Sequence, residues 1–464
     1  MTRPAGVMAR AREWVRGPVS SGRGSASRAG LAAIAAKLAG AGLGLLINVV
    51  VARQLGAEQF GLFVLGITAA SLLSMLASFG LPFAAIRHLP DYIARGDWGG
   101  VAGFCRASLV ASLAGAGLFA ALLVAGSFAA GAEPGALQAF TWAAALVLPM
   151  TLAQTFASIL QARGEVVLPE LTQNVIRQGL TLALILLWPL LGLFVSGSGE
   201  LPGVGAVLGI TFVGAAVSVA VLGAMVARRA AGDPPADGGA RYDLRGWAAT
   251  GSAVLFILLS TSLNERLDIL LLGWLVDAHD LGVYAAAVRL AVIAVLALAG
   301  LNAAYMPRIS SAWAARDRDR VERLCRDVCR IGLAITALLT IGAAAGGDLV
   351  LAAFGPEFAA GRPVLVILLA AQMCVAAGGV AGGVAVITGH SRVVLAAVLT
   401  CIAVNIALIL LLTPVFGITG TAFSTLVAVG GTQFAVSVIC SRRLGLNVSL
   451  LPVRPRTGRM ADLV

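Results

Sequence analysis

The sequence predicts an all-α membrane protein of about twelve transmembrane helices. It reads as two six-helix halves related by a pseudo-twofold axis along the membrane normal, with a central cavity. Three observations predict this. Hydrophobic residues make up 59% of the chain and charged residues 12%, and the mean hydropathy of +0.94 lies far outside the soluble globular range. Apolar runs recur at the length of about twenty residues that a helix needs to cross roughly 30 Å of hydrocarbon. Finally, the basic residues fall almost entirely on one side once the runs are numbered.

The chain opens on "MTRPAGVMARAREWVRGPVSSGRGSASRAG", which lacks an apolar signal-peptide core, so residues 1–30 read as a disordered basic cytoplasmic tail. Spans 1 to 6 are expected at about 31–52, 60–82, 104–130, 137–160, 171–195 and 202–227, forming an N-terminal bundle over 31–227. The polar, Pro/Gly-rich stretch 228–246 reads as a cytoplasmic linker. Spans 7 to 12 follow at about 248–275, 281–306, 331–353, 363–387, 393–413 and 417–440, giving a C-terminal bundle over 247–440 and a cytoplasmic tail over 441–464.

Charge tests the count independently. With both termini inside, 27 Lys and Arg fall on the inner side and two, Arg53 and Arg362, on the outer. Four lie within spans: Lys37, Arg177, Arg266 and Arg289. The net charge of +11 therefore reflects topology, and no nucleic-acid partner is needed to explain it. A bacterial cytoplasmic membrane is the expected location. The six cysteines include no C-x-x-C pair. Disulfides are not expected, and Cys325 and Cys329 read as one turn apart on a cytoplasmic helix rather than as zinc ligands.

The two halves resemble each other. A shift of 221 residues carries Ala57 onto Ala278, Gly61 onto Gly282, Phe63 onto Tyr284, Arg87 onto Arg308 and Arg95 onto Arg316. "ALILL" occurs at 183–187 and again at 407–411, and "PGVGAV" (202–207) echoes "FGITGTA" (416–422). Six spans per half makes the copies parallel, the arrangement for alternating access by rocking of two bundles around a midplane cavity.

The intramembrane charges are the candidate functional residues. Each costs about 2.5–3.5 kcal/mol at a helix centre, and "NERLDILLL" (264–272) concentrates three of them. At 100° per residue, Asn264 lies about 40° and Glu265 about 60° from Asp268, while Arg266 points about 160° from Asp268. Arg266 is therefore expected to need a carboxylate elsewhere or an anion. Its expected companions are Arg289, Lys37, Asn48, and Arg177 beside Asn174. Buried ion pairs locking the helices are the competing reading, with Asp268–Arg289 the obvious pair. Glu265 could instead titrate as a cation-coupling site. The shift of 221 maps 265, 266 and 268 onto Gly44, Leu45 and Ile47, so fold symmetry alone does not demand charges there. Surplus positive charge in a cavity suits an anionic substrate.

Outside the spans, Glu58, Asp277 and Asp280 read as caps and solvated outer turns. "AARDRDRVERLCRDVCR" (314–330) reads as an amphipathic helix on the cytoplasmic face.

One stretch carries a family resemblance. Residues 48–97 contain Ala52-Arg53, Leu55-Gly56, Glu58, Phe60-Gly61, Gly80-Leu81, Arg87 and Gly96-Asp97. In the second half stand Arg266, Asp268, "LLLG" (270–273), Gly282, Tyr284 and Arg289, then "VITGHSR" (386–392) and "LTPVFGITGTA" (412–422). Together these resemble the polysaccharide transporter branch, the O-antigen and exopolysaccharide flippases of the multidrug/oligosaccharidyl-lipid/polysaccharide exporter superfamily. The resemblance implies a flippase that moves a polyprenyl-diphosphate-linked oligosaccharide. Arg266, Arg289, Arg177 and Lys37 would meet the diphosphate, and Asn48, Asn174 and Asn264 the sugars. Glu265 and Asp268 would serve ion coupling, to a proton or sodium gradient, or ion pairing.

Two other functions compete. A membrane glycosyltransferase or polymerase should carry acid/base residues in a sizeable outer loop, but the outer connections are about ten residues or fewer. His88, His279 and His390 show no metal spacing. A cation-coupled multidrug antiporter of the same fold should hold an acidic residue deep in the first half, where this chain has Lys37. The expectation is thus a transporter, not an enzyme, without cofactor, and monomeric because one chain already contains a complete cavity.

Overall fold

The computed structural model describes residues 23–195, 203–235, 239–388 and 391–444. Among them there is no strand. The helices in chain order are α1 (Arg23–Ala77), α2 (Leu81–Arg95), α3 (Trp98–Ala129), α4 (Pro134–Ala162), α5 (Val167–Leu171), α6 (Arg177–Val195) and α7 (Val204–Ala231). There follow α8 (Leu244–Leu275), α9 (Ala278–Ala314), α10 (Arg318–Leu351), α11 (Arg362–Gly378), α12 (Ala381–Ile387) and α13 (Ser391–Leu444). A π turn, Thr172–Ile176, joins α5 to α6, and a 3₁₀ turn, Pro356–Gly361, precedes α11.

Nine helices among the described residues are long and apolar enough to cross a membrane. Two of these, within α1 and α13, are pairs of helices joined across a kink at Gly56 (φ 76°) and Gly417 (φ 59°). Only glycine adopts that left-handed backbone without a Cβ penalty, so each kink is a turn between two spans. Adding α6 recovers the expected twelve. The chain is a multi-pass helical membrane protein.

The structure differs from the sequence reading at three edges. Helix α1 begins at Arg23, inside the stretch expected to be a disordered tail, while residues 1–22 lie outside the described residues. The stretch expected as a cytoplasmic loop after span 2 contains α2, which buries Leu81, Ala84, Ala85 and Leu89 along one face. The helix expected over 314–330 is broken at Arg316, where φ is positive, and resumes as the first turns of α10. Its apolar face, Val321, Cys325, Val328 and Cys329, is buried as amphipathicity requires. The cysteines among the described residues are free thiols. Of the expected tail over 441–464, residues 445–464 lie outside the described residues.

Contacts divide the chain into two compact units. The first contains Met1–Leu55 and Leu65–Leu259, and the second Gly56–Val64 and Ser260–Val464. A core of the first unit packs Leu89, Phe104 and Ile159 around Trp247, which is 1% exposed and meets Phe104 edge-on at 5.0 Å. The Trp247 indole donates to the Tyr92 hydroxyl at 3.0 Å, so the first turns of α8 are held by α2 and α3. Arg163 and Asp233 form a bidentate pair at 3.0 and 2.8 Å that fastens the end of α4 to the end of α7.

In the second unit, residues 56–64 are gripped by the C-terminal half of the chain. Phe60 meets Phe354 at a tilt and Phe358 edge-on, at centroid distances of 6.2 and 5.8 Å. The Glu357 carboxylate accepts from the Ala57 amide at 2.7 Å, capping the helix that starts after Gly56. Glu58, expected as a cap, is exposed. Asp277 does cap α9, accepting from the Asp280 amide at 2.8 Å.

Candidate functional site: two polar clusters within the membrane

The second unit builds its cluster around Asp268. The carboxylate Oδ1 accepts from the Asn405 amide at 2.9 Å, and Oδ2 accepts from the Tyr284 hydroxyl at 2.8 Å and the Thr425 hydroxyl at 2.7 Å. These partners come from α9 and from both limbs of α13, so one carboxylate ties four membrane-spanning rods together. Tyr284 and Asn405 are 0% and 1% exposed. Three neutral donors satisfy a buried charge without an opposite charge. The expected Asp268–Arg289 ion pair is not formed.

Thr425 has a second acceptor, the Thr421 carbonyl at 3.1 Å on its own helix. A hydroxyl has one proton to give and can also accept. By turning its proton to Thr421, Thr425 can accept a hydrogen bond from a neutral Asp268, so the same cage suits both protonation states.

The charges near Asp268 separate from it. Glu265 was expected on the Asp268 face, yet its side chain is 71% exposed. Arg266 was expected to find nothing on its own helix. Instead its guanidinium contacts the Ser262 carbonyl at 3.3 Å and lies 3.8 Å from Glu265. The long side chain folds back along the helix, a reach that a projection of Cα directions does not include. That pair is loose and partly exposed, so it contributes little. Arg289 is half-buried, with its Nε enclosed and without a hydrogen-bond partner. The Asn264 side-chain oxygen is also buried and unpaired.

The first unit has its own cluster. Lys37 lies 3.4 Å from Glu170, and Asn174 donates to Glu170 through both its carboxylate at 2.9 Å and its carbonyl at 3.0 Å. Gln161 reaches the same carboxylate at 3.4 Å. Lys37 is thus partnered, and its partner Glu170 comes from a stretch the sequence reading treated as a loop. Asn174 lies in the π turn, a local widening of the helix often found at functional sites. Arg177 donates to the Gln173 carbonyl at 3.1 Å. Asn48 donates to Gly44 at 2.6 Å, while its own oxygen, like that of Gln178, is buried without a partner.

Sequence reasoning missed Tyr284, Asn405 and Thr425 as partners of Asp268, and Glu170 and Gln161 in the first unit. Asn405 stands alone in "CIAVNIALILL" and was the readable one. Threonine is too common in membrane helices to stand out. At the α8–α9 turn, Asp277, His279 and Asp280 bring their side-chain atoms within 4.8 Å of one another, with Asp277 and His279 exposed.

The sequence pattern of the family described as "Polysaccharide biosynthesis protein" matches residues 28–313, and that span is more than half of the chain. The chain belongs to the polysaccharide biosynthesis protein family. The MatE family pattern matches residues 253–411, the stretch containing Asp268 and Asn405. No curated protein matches this family member's sequence. Among solved structures, an inward-facing multidrug resistance MATE family transporter of the MOP superfamily is similar with a TM-score of 0.66 and 14% identity, covering 86% of this chain and 93% of that one. Lipid II flippase MurJ in an inward closed conformation gives a TM-score of 0.64 and 13% identity, covering 87% and 86%. A MOP superfamily transporter from Pyrococcus furiosus gives 0.58 and 14%, covering 89% and 94%. At 13–14% identity these likenesses show that this polysaccharide biosynthesis protein shares the fold of those structures.

Proposed function

We propose that the chain is a flippase that moves a polyprenyl-diphosphate-linked oligosaccharide across a bacterial cytoplasmic membrane by alternating access. The observation that carries this reading is Arg289. Its Nε is buried and without a hydrogen-bond partner. A guanidinium with an unfilled donor at membrane depth is costly unless an anion meets it, and a diphosphate offers oxygens that an arginine can bind. The unpaired Asn48, Gln178 and Asn264 oxygens are acceptors suited to sugar hydroxyls. Membership of the polysaccharide biosynthesis family supports the same substrate class.

Asp268 is the proposed coupling residue, since hydroxyl rotation at Thr425 lets it gain and lose a proton without breaking its cage. The test is flipping of a fluorescent lipid-linked oligosaccharide in proteoliposomes. Arg289→Gln should slow it about tenfold or more, because a charge-assisted hydrogen bond contributes roughly 1.5–3 kcal/mol. Unchanged flipping by a folded variant would overturn the reading.

The MatE match favours a second reading, a cation-coupled multidrug antiporter. It would be supported if Asp268→Asn abolished cation-driven export of organic cations while Arg289→Gln left that export unaffected.

A further inference from the structure

The two limbs of α13 enclose a groove that the Asp268 cage does not use. It has a volume of about 500 Å³ and is lined by Ala397, Thr400 and Val404 on one limb and Ala428, Gly431 and Arg442 on the other, among others. From Val427 to Arg442 it follows fifteen residues of helix, about 22 Å at 1.5 Å per residue. That shape suits a chain rather than a compact solute.

The groove is open where it could have closed. A Cβ on Gly430 would meet the Cys374 side chain at 3.3 Å, whereas one on the adjacent Gly431 would meet nothing within 4 Å. Only 17% of the most apolar stretch of Val394–Arg442 is buried by the protein itself. Small side chains usually let membrane helices approach closely, yet here they leave space.

The lining selects the contents. Thr400 donates to the Ala396 carbonyl at 2.9 Å and Thr432 to the Ala428 carbonyl at 2.7 Å, so both hydroxyl protons are already committed to their own helices. Water would find few partners there, and sugar hydroxyls would find no free donor. Hydrocarbon loses nothing by entering. At one end lies Arg442, exposed and in no ion pair among the described residues. An apolar channel ending at one cation is complementary to a lipid whose chain ends at one anion.

We propose that the α13 groove binds one acyl chain of an anionic phospholipid from the surrounding bilayer, with the lipid phosphate held at Arg442. The site is separate from the proposed transport residues and does not depend on which substrate they carry.

The test is native mass spectrometry of the full chain released from vesicles containing equal phosphatidylglycerol and phosphatidylcholine. The wild type should retain one lipid more tightly than the rest, with phosphatidylglycerol preferred. Gly431→Leu, which fills open space, should lose that lipid. Arg442→Gln should keep it but lower the preference about fivefold, the factor for one arginine's roughly 1 kcal/mol attraction to an anionic surface. Thermal melting checks folding, and Ala435→Leu fills the same groove if Gly431→Leu proves unstable. Equal retention of the two lipids by the wild type, an undiminished lipid count in a folded filled variant, or an unchanged preference in Arg442→Gln would each overturn the proposal.

Discussion

Gly61 and Gly282 hold equivalent positions in the two halves, and each lies against backbone of the other half. A Cβ on Gly61 would collide with the Ala278 carbonyl, and one on Gly282 with the Ala57 carbonyl. Ala57 and Ala278 are themselves equivalent under the 221-residue shift, so the contact between these segments of the second unit is isologous. Gly61→Ala and Gly282→Ala should each destabilise the protein by about 1–3 kcal/mol, because the obstruction is backbone. One separation of the segments relieves both clashes, so the double variant should cost less than the sum. Melting temperatures of the two single variants and the double variant in detergent check this, and strictly additive losses would contradict it.

Glu357 is the cap for the helix after Gly56, contributed by residues three hundred positions away. Glu357→Ala leaves the Ala57 amide without its acceptor and should cost about 0.5–2 kcal/mol, whereas Glu357→Gln keeps an oxygen in reach and should cost less. The loss should be local. A cysteine introduced at Glu58 should react faster with a membrane-impermeant maleimide in Glu357→Ala than in the parent, and equal rates would argue against the cap.

Much of the fold was legible because the membrane imposes it. Span length and the one-sided arginines predicted twelve crossings, and the repeat paired Gly61 with Gly282 as equivalent positions. The sites were legible only in part. Asp268 stood out as a charge in an oily run, but its cage is made of residues that are unremarkable one at a time. The repeat did hold a signal for Tyr284. Asp268 and Tyr284 correspond to Ile47 and Phe63 in the first half, so the half that has the carboxylate also has the hydroxyl. Glu265 is exposed beside the caged Asp268, and about 60° of helix rotation is enough to separate the two environments. The Lys37–Glu170 pair was not readable, because Glu170 sits just before a π turn that the pattern of apolar residues does not reveal.

Trp247 anchors the start of α8 in the first unit through Phe104 and the Tyr92 hydroxyl. Trp247→Ala should cost about 3–5 kcal/mol, as for other large buried aromatics. Trp247→Phe keeps most of the packing and loses the hydrogen bond, leaving the Tyr92 hydroxyl without its donor, and should cost about 1–3 kcal/mol. Thermal or denaturant melts of the three proteins would expose the error if Trp247→Phe proved as damaging as Trp247→Ala.

Tyr284→Phe copies the first half's Phe63 while leaving Asp268 in place. The carboxylate then keeps the Thr425 and Asn405 donors but loses one charge-assisted hydrogen bond, a cost of about 1.5–3 kcal/mol in a buried setting. Adding Asp268→Ile completes the copy of the first half's Ile47–Phe63 pair. Removing both partners of a buried polar contact is far less harmful than removing one, so the double variant should recover stability relative to Tyr284→Phe. Recovery should be incomplete, because the Asn405 amide loses its acceptor. Flipping should not recover at all if Asp268 couples transport, since stability would return without the titrating group. Melting temperature and proteoliposome flipping, measured on the same preparations, separate the two effects. A double variant that regained transport would remove Asp268 from the mechanism.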